Sequence, residues 1–195
     1  MSEIERPPRG APRSRTLRAD AARNRARLLE VAYETFAAEG LAVPIDEIAR
    51  RAGVGAGTVY RHFPTKEALF SAVFSDRVRR MVDHAHALLA SVGPAEALFM
   101  FLRDLVATGA VDHGLADAVA GHGIDLQTAA PGAEAAFLGV LGELLTAAQQ
   151  AGSARGDVAV PEIKALLLVC KSAQLYGEDV SGRVARVIED GLRAS

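Results

Sequence analysis

Residues 45–63 read IDEIARRAGVGAGTVYRHF, and this run leaves a chain little local freedom. Ile45, Ile48 and Ala49 put apolar groups on one face of a short helix, at three- and four-residue steps. Ala49 is small where a second helix has to cross closely. Gly53 sits where a tight interhelical turn needs a left-handed backbone angle, which glycine adopts at little cost. Val54 and Val59 then fill the angle between the two helices. Alanine, glycine at +4 and valine at +10, with apolar residues between, predict a helix-turn-helix.

The second helix of this unit has an unusual outer face. Gly55, Ala56 and Gly57 leave its N-terminus without bulk, so its backbone N–H groups are open to a phosphate. Thr58, Tyr60, Arg61 and His62 turn hydroxyls, a guanidinium and an imidazole outward, while Val59 and Phe63 anchor the inner side. For Tyr60, packing against its neighbours is a rival role. Pro64 ends the helix, because the residue before a proline is pushed out of the α region. Thr65 is a plausible N-cap for the next helix. Lys66 falls in that helix's first turn, where a cation opposes the macrodipole by ~0.3–1 kcal/mol. A phosphate bound there would reverse the penalty.

The rest of the chain predicts an all-α protein. Leu28, Val31, Ala32 and Phe36 form a helical stripe ending at Gly40, and Pro44 opens the first helix of the motif. Phe70, Phe74, Val78, Met81, Ala85, Leu88 and Val92 mark a long helix closed by Gly93-Pro94. Further stripes follow at Leu98–Leu105, Phe137–Ala148, Ile163–Cys170 and Val184–Leu192. Residues 109–132, rich in Gly and His, read as short helical pieces or loops. No stretch alternates as a surface strand does, and no internal repeat is present.

Charge is uneven along this organisation. Residues 1–80 hold 15 Lys and Arg against 10 Asp and Glu; residues 81–195 hold 7 against 14. A basic front on an acidic body suits a polyanionic partner. The first 18 residues combine Pro7, Pro8, Gly10 and Pro12 with five arginines and predict a disordered tail. It serves either as a solubilising tail or as an arm lying along DNA. The expected division is therefore a tail at 1–18, a DNA-binding domain at 19–66 and a further helical domain at 67–195.

Other functions find no support in the residues. Gly55-Ala-Gly57 follows a helix and lacks the third glycine of a dinucleotide loop. Gly152-Ser-Ala-Arg-Gly156 has its serine one place early for a nucleophile elbow. His84 and His86 are two apart and point to different sides of their helix, so they make no metal pair. No catalytic residue, metal or cofactor is expected. The lone Cys170 cannot form an internal disulfide, and no apolar run is long enough to span a membrane. A cytoplasmic location is expected.

The run Gly57-Thr58-Val59-Tyr60-Arg61-His62-Phe63-Pro64-Thr65-Lys66-Glu67-Ala68-Leu69 closely resembles the signature of TetR-type repressors, and Ile48-Ala49 and Ala52-Gly53-Val54 fit it too. The resemblance covers about residues 20–75. It implies a third helix in the major groove of operator DNA, with Thr58, Tyr60, Arg61, His62 and Lys66 contacting the duplex. Two departures stand out. Val43-Pro44 replaces a capping threonine or serine that touches phosphate, and Gly55 replaces a serine at the start of the third helix. With those hydroxyls absent, Arg50, Arg51 and the arginine tail are expected to carry more of the phosphate grip.

The resemblance further implies a homodimer through the last two helices, about 161–176 and 182–194, and a small-molecule effector bound in the C-terminal half. Phe101, Leu105, His122, Phe137 and Leu141 are candidate effector contacts, with plain core packing the competing role for the apolar ones. His113 and Gln127 are further polar candidates. Repression is the expected sign of regulation, because blocking transcription needs only occupancy. An activator of the same build, or a small-molecule carrier with a vestigial helix-turn-helix, is the alternative.

Overall fold

Proline is well tolerated at the first position of a helix, where its missing N–H would have no partner. That is where Pro12 and Pro94 stand. In a computed structural model, which describes residues 12–107 and 130–194 and their side chains from residue 20 onward except that of residue 178, α1 runs Pro12–Glu39 and α5 runs Pro94–Ala107. Between them lie α2 (Ile45–Ala52), α3 (Ala56–His62) and α4 (Lys66–Val92). After them come α6 (Ala133–Gln150), α7 (Val160–Ala173), a 3-10 turn (Gln174–Tyr176) and α8 (Glu178–Leu192). Among the described residues the only extended pairing is an isolated bridge between Ala154 and Arg193.

The helix starting at Pro12 corrects one expectation. Residues 12–18 belong to α1 and not to a disordered tail. The Leu, Arg and Ala that follow Pro12 are strong helix formers, and their propensity extends the helix beyond its packed part. The first eleven residues lie outside the described part.

Two cores share α4. The first gathers Leu29, Ala32 and Phe36 of α1, Ile48 and Ala49 of α2, Val59 of α3, and Leu69, Phe70 and Val73 of α4. The rings of Phe36 and Phe70 meet at a centroid distance of 6.0 Å, tilted by 55°. Thr65 caps α4, its Oγ1 accepting from the Ala68 N–H at 3.1 Å; such a cap is worth about 1 kcal/mol. The second core joins Ala85 and Leu88 of α4 to Leu98, Phe99 and Phe101 of α5, Leu141 and Leu144 of α6, and Ile163 of α7. So α4 crosses the division expected after residue 66, its first two turns completing the first core.

Two stripe positions face outward. Val92 is 40 % exposed and Val187 is 70 % exposed. Phe99, off the expected stripe, is buried instead, under the Arg193 guanidinium 4.0 Å from its ring centroid. Arg193 also forms a two-pronged pair with Glu96, both contacts at 3.0 Å, and reaches Glu189 at 3.0 Å. These bonds hold the end of the chain against α5.

Candidate nucleic-acid interface

The turn between α2 and α3 forms as the sequence requires. Gly53 has φ +67°, its N–H bonding the Arg50 carbonyl at 3.1 Å, and the Val54 N–H reaches back to Ala49 at 3.0 Å. A Cβ at Gly53 would meet nothing within 4 Å, so the demand for glycine is conformational. Beyond this turn α3 buries Val59, with Phe63 closing its end. Thr58, Arg61 and His62 are exposed, and Tyr60 is 43 % exposed, so its ring faces away from the core.

Gly55 and Gly57 differ from Gly53. Neither has a positive φ, and an added Cβ would meet nothing nearer than Thr58 Oγ1, 3.9 Å from the one at Gly55. Nothing among the described residues asks for glycine at either position.

The cations around α3 are in different states. Arg50 makes a two-pronged contact with Glu47, at 2.8 and 2.7 Å. Arg51 bonds Glu47 at 2.8 Å and spans to Glu39 at the end of α1. Hydrogen bonds from Arg50 and then Arg51 pull the Glu47 carboxyl down to about 2. Arg50 and Arg51, from which more of the phosphate grip is expected, are thus both held by carboxylates, and Arg51 braces α2 against α1. Arg61, by contrast, meets no carboxylate among the described residues, and α3 itself contains no acid.

Lys66 also differs from expectation. Its ammonium donates to the main-chain carbonyls of Leu41 at 2.8 Å and Ala42 at 3.3 Å, in the α1–α2 loop. Two of its three donors are thus engaged inside the protein. Arg25 and Asn24 of α1 were not anticipated. They line a groove of about 300 Å³ with Gly55, Thr58 and His62, and the Arg25 guanidinium lies 5.9 Å from the Phe63 ring centroid. Their only sequence signal is a helical step ahead of Leu28; the crossing of α1 over α3 brings them there.

In the C-terminal half, the candidate effector residues do not converge on one cavity. Phe101 and Leu105 line a cleft of about 310 Å³ between α4 and α5. Leu141 is fully buried in the second core, and Phe137 packs partly buried beside it and beside Val78, Ala130 and Ala133. His122, His113 and Gln127 lie outside the described residues. His84 pairs with Asp104 at 2.7 Å and His86 with Glu143 at 3.0 Å, so the two histidines diverge. No group of acidic, His or Cys side chains among the described residues could hold a metal ion. Along α7, the 3-10 turn and α8, Leu168, Val169, Leu175, Tyr176 and Val187 are more than half exposed. No described helix is long and apolar enough to cross a membrane.

Comparison with known proteins adds two sequence-family matches. Residues 28–73 match "Bacterial regulatory proteins, tetR family", and residues 93–194 match "Transcriptional regulator SbtR-like, C-terminal domain". A TetR transcription regulatory protein of Mycobacterium vanbaalenii is 68% identical, covering 91% of this chain and 99% of its own, with a TM-score of 0.78. The chain belongs to the TetR family of transcriptional regulators. It is a DNA-binding regulator and not an enzyme.

A second TetR regulator of known structure, SCO0520 from Streptomyces coelicolor, is 34% identical over 88% of this chain and 99% of its own, with a TM-score of 0.73. The HTH-type regulator SrpR of Pseudomonas putida is 40% identical over 65 residues, 33% of this chain. This TetR chain spans only 30% of SrpR and 37% of a similar Staphylococcus aureus regulator. Family likeness thus reaches the C-terminal half too, where the sequence had offered only a compatible helical pattern.

Proposed function

We propose that the protein is a homodimeric repressor that binds a pseudo-palindromic operator through α3 and leaves it when a small molecule binds the C-terminal half. The observation that carries this reading is the outer face of α3, with exposed Thr58, Tyr60, Arg61 and His62, no acid, and an Arg61 guanidinium without a carboxylate partner among the described residues. Gly55 and Gly57 support it. Glycines the fold does not require keep the approach to α3 low enough for a nucleic-acid backbone to come close. Tyr60 and Lys66 then serve phosphates and Arg61 reads base edges, a basic side chain on guanine being the commonest base-specific contact in the major groove.

The dimer reading rests on the exposed apolar seam of α7, the 3-10 turn and α8, which a second copy would cover across a two-fold axis. Such a dimer presents two α3 helices to successive major grooves. The site of action is the cytoplasm.

Selection of bound fragments from the native genome, followed by titration of the recovered operator, tests the reading. Affinity should fall by ~10³ or more between ~50 and ~200 mM salt if each dimer makes at least six phosphate contacts. Arg61→Ala should cost ~1–3 kcal/mol on the operator and relax its sequence preference. An equal loss on operator and random DNA would remove Arg61 from base reading. In transcription with purified polymerase, the protein should lower the yield from its operator; a raised yield makes it an activator.

A further inference from the structure

Three arginines, Arg77, Arg79 and Arg80, cluster in the middle of α4. Two are matched by carboxylates. Arg79 pairs with Asp76 at 2.6 Å and Asp83 at 3.2 Å, and Arg80 pairs with Asp76 and Glu30, both at 2.8 Å. Arg77 has no carboxylate partner among the described residues. Its guanidinium lies 4.8 Å from the Tyr33 ring centroid on α1, and its Nε is closed off from solvent with no acceptor among the described residues. The ring face eases the burial of the charge but offers an N–H no lone pair in the plane of the guanidinium. A buried donor left in that state is unfavourable.

Arg77 also lines the α4–α5 cleft of about 310 Å³. Met81, Phe101 and Leu105 give this cleft an apolar wall; its other charged groups are Arg80, His84 and Asp104. His84 and Asp104 face each other at 2.7 Å, and Arg80 has its two acids. Among the described residues this leaves one guanidinium beside an apolar surface, in a space at the lower end of the ~300–1,000 Å³ usual for small-molecule sites.

We propose that this cleft binds a small monocarboxylate with an apolar body, its oxygens accepting hydrogen bonds from Arg77. The planar guanidinium matches a carboxylate's two oxygens. A single unmatched positive charge balances one negative charge, whereas a phosphate dianion would bring excess charge close to Asp104. Because Arg77 rests on Tyr33 of α1, the group that holds the ligand also touches the DNA-binding half. The proposal deepens the reading above, naming the chemical class of the effector. Its regulatory meaning rests on that reading; the binding itself does not.

The test is calorimetric titration of the full-length protein, without DNA, with linear carboxylates from butanoate to decanoate and with phenylacetate. Each is compared with its primary amide and with inorganic phosphate. At least one acid should bind about tenfold or more tightly than its amide. Arg77→Gln should erase that preference and Arg77→Lys should retain most of it. Met81→Trp, which fills the cleft, should remove acid and amide binding together while the protein still melts cooperatively. Equal binding of acid and amide, a preference that survives Arg77→Gln, tighter binding of phosphate, or no acid binding across the series would each overturn the site. Operator binding is measured separately. An acid that binds through Arg77 yet leaves operator occupancy unchanged upholds the site and removes its role as effector.

Discussion

The Lys66 ammonium donates a 2.8 Å hydrogen bond to the main-chain carbonyl of Leu41, tying the first turn of α4 to the loop that ends α1. The bond is partly buried and charge-assisted, and Ala42 accepts a second at 3.3 Å. Lys66→Met should therefore lower unfolding stability by ~1–2 kcal/mol, leaving two loop carbonyls short of a donor. Urea titration checks this. A variant as stable as the parent would mean that the lysine serves DNA alone.

Gly57 predicts opposite signs for stability and binding. Alanine is the better helix former, and a Cβ at Gly57 meets nothing within 4 Å, so Gly57→Ala should stabilise the protein by up to ~0.5–1 kcal/mol. The same methyl should weaken DNA binding if a phosphate backbone comes close to α3. Melting and DNA titration on one sample decide it; an unchanged affinity would show that the glycine makes no room for the duplex.

Glu47 connects acid stability to DNA affinity. Its folded-state carboxyl is held at about 2, below the ordinary 4.5, by hydrogen bonds from Arg50 and Arg51. Its contribution is therefore complete above pH 4.5 and is lost as the pH falls from there towards about 2. Over that window the melting temperature of the parent should drop more than that of Glu47→Gln, which has nothing to titrate. At neutral pH the same substitution releases Arg50 and part of Arg51. DNA affinity should then rise, with a salt slope steeper by up to about one for each arginine that reaches a phosphate.

The exposed seam gives a prediction about assembly. Leu168 and Val187 are 54 % and 70 % exposed in the single chain, so Leu168→Glu with Val187→Glu should leave the protomer folded. Like charges facing each other across a two-fold axis should make it sediment as a monomer and lose cooperative operator binding. A dimer that persists would place the interface elsewhere.

The elements that periodicity and backbone chemistry dictate were legible in the sequence. Gly53, Pro64, Thr65 and Pro94 each act where local sterics require, and Phe36, Ile48 and Val59 are buried as their spacing demands. What could not be read depends on which elements meet. Glu47 and Glu39 capture Arg50 and Arg51 through helical spacing in one case and a 12-residue separation in the other. Arg77 looks like any solvated arginine until α1 brings Tyr33 over it and α5 walls the cleft. Likewise Phe99 is inside because Arg193, far along the chain, covers it.

Helix α4, 27 residues of unbroken hydrogen-bonded backbone, is the one described element embedded in both cores. At a rise of ~1.5 Å per residue it is a rod ~40 Å long. Pivoted at its far end, a tilt of ~5° would carry the end that bears Lys66 through ~3.5 Å. A movement at the sensor end smaller than one bond length, felt close to the pivot, would arrive magnified at the spacing between two reading heads.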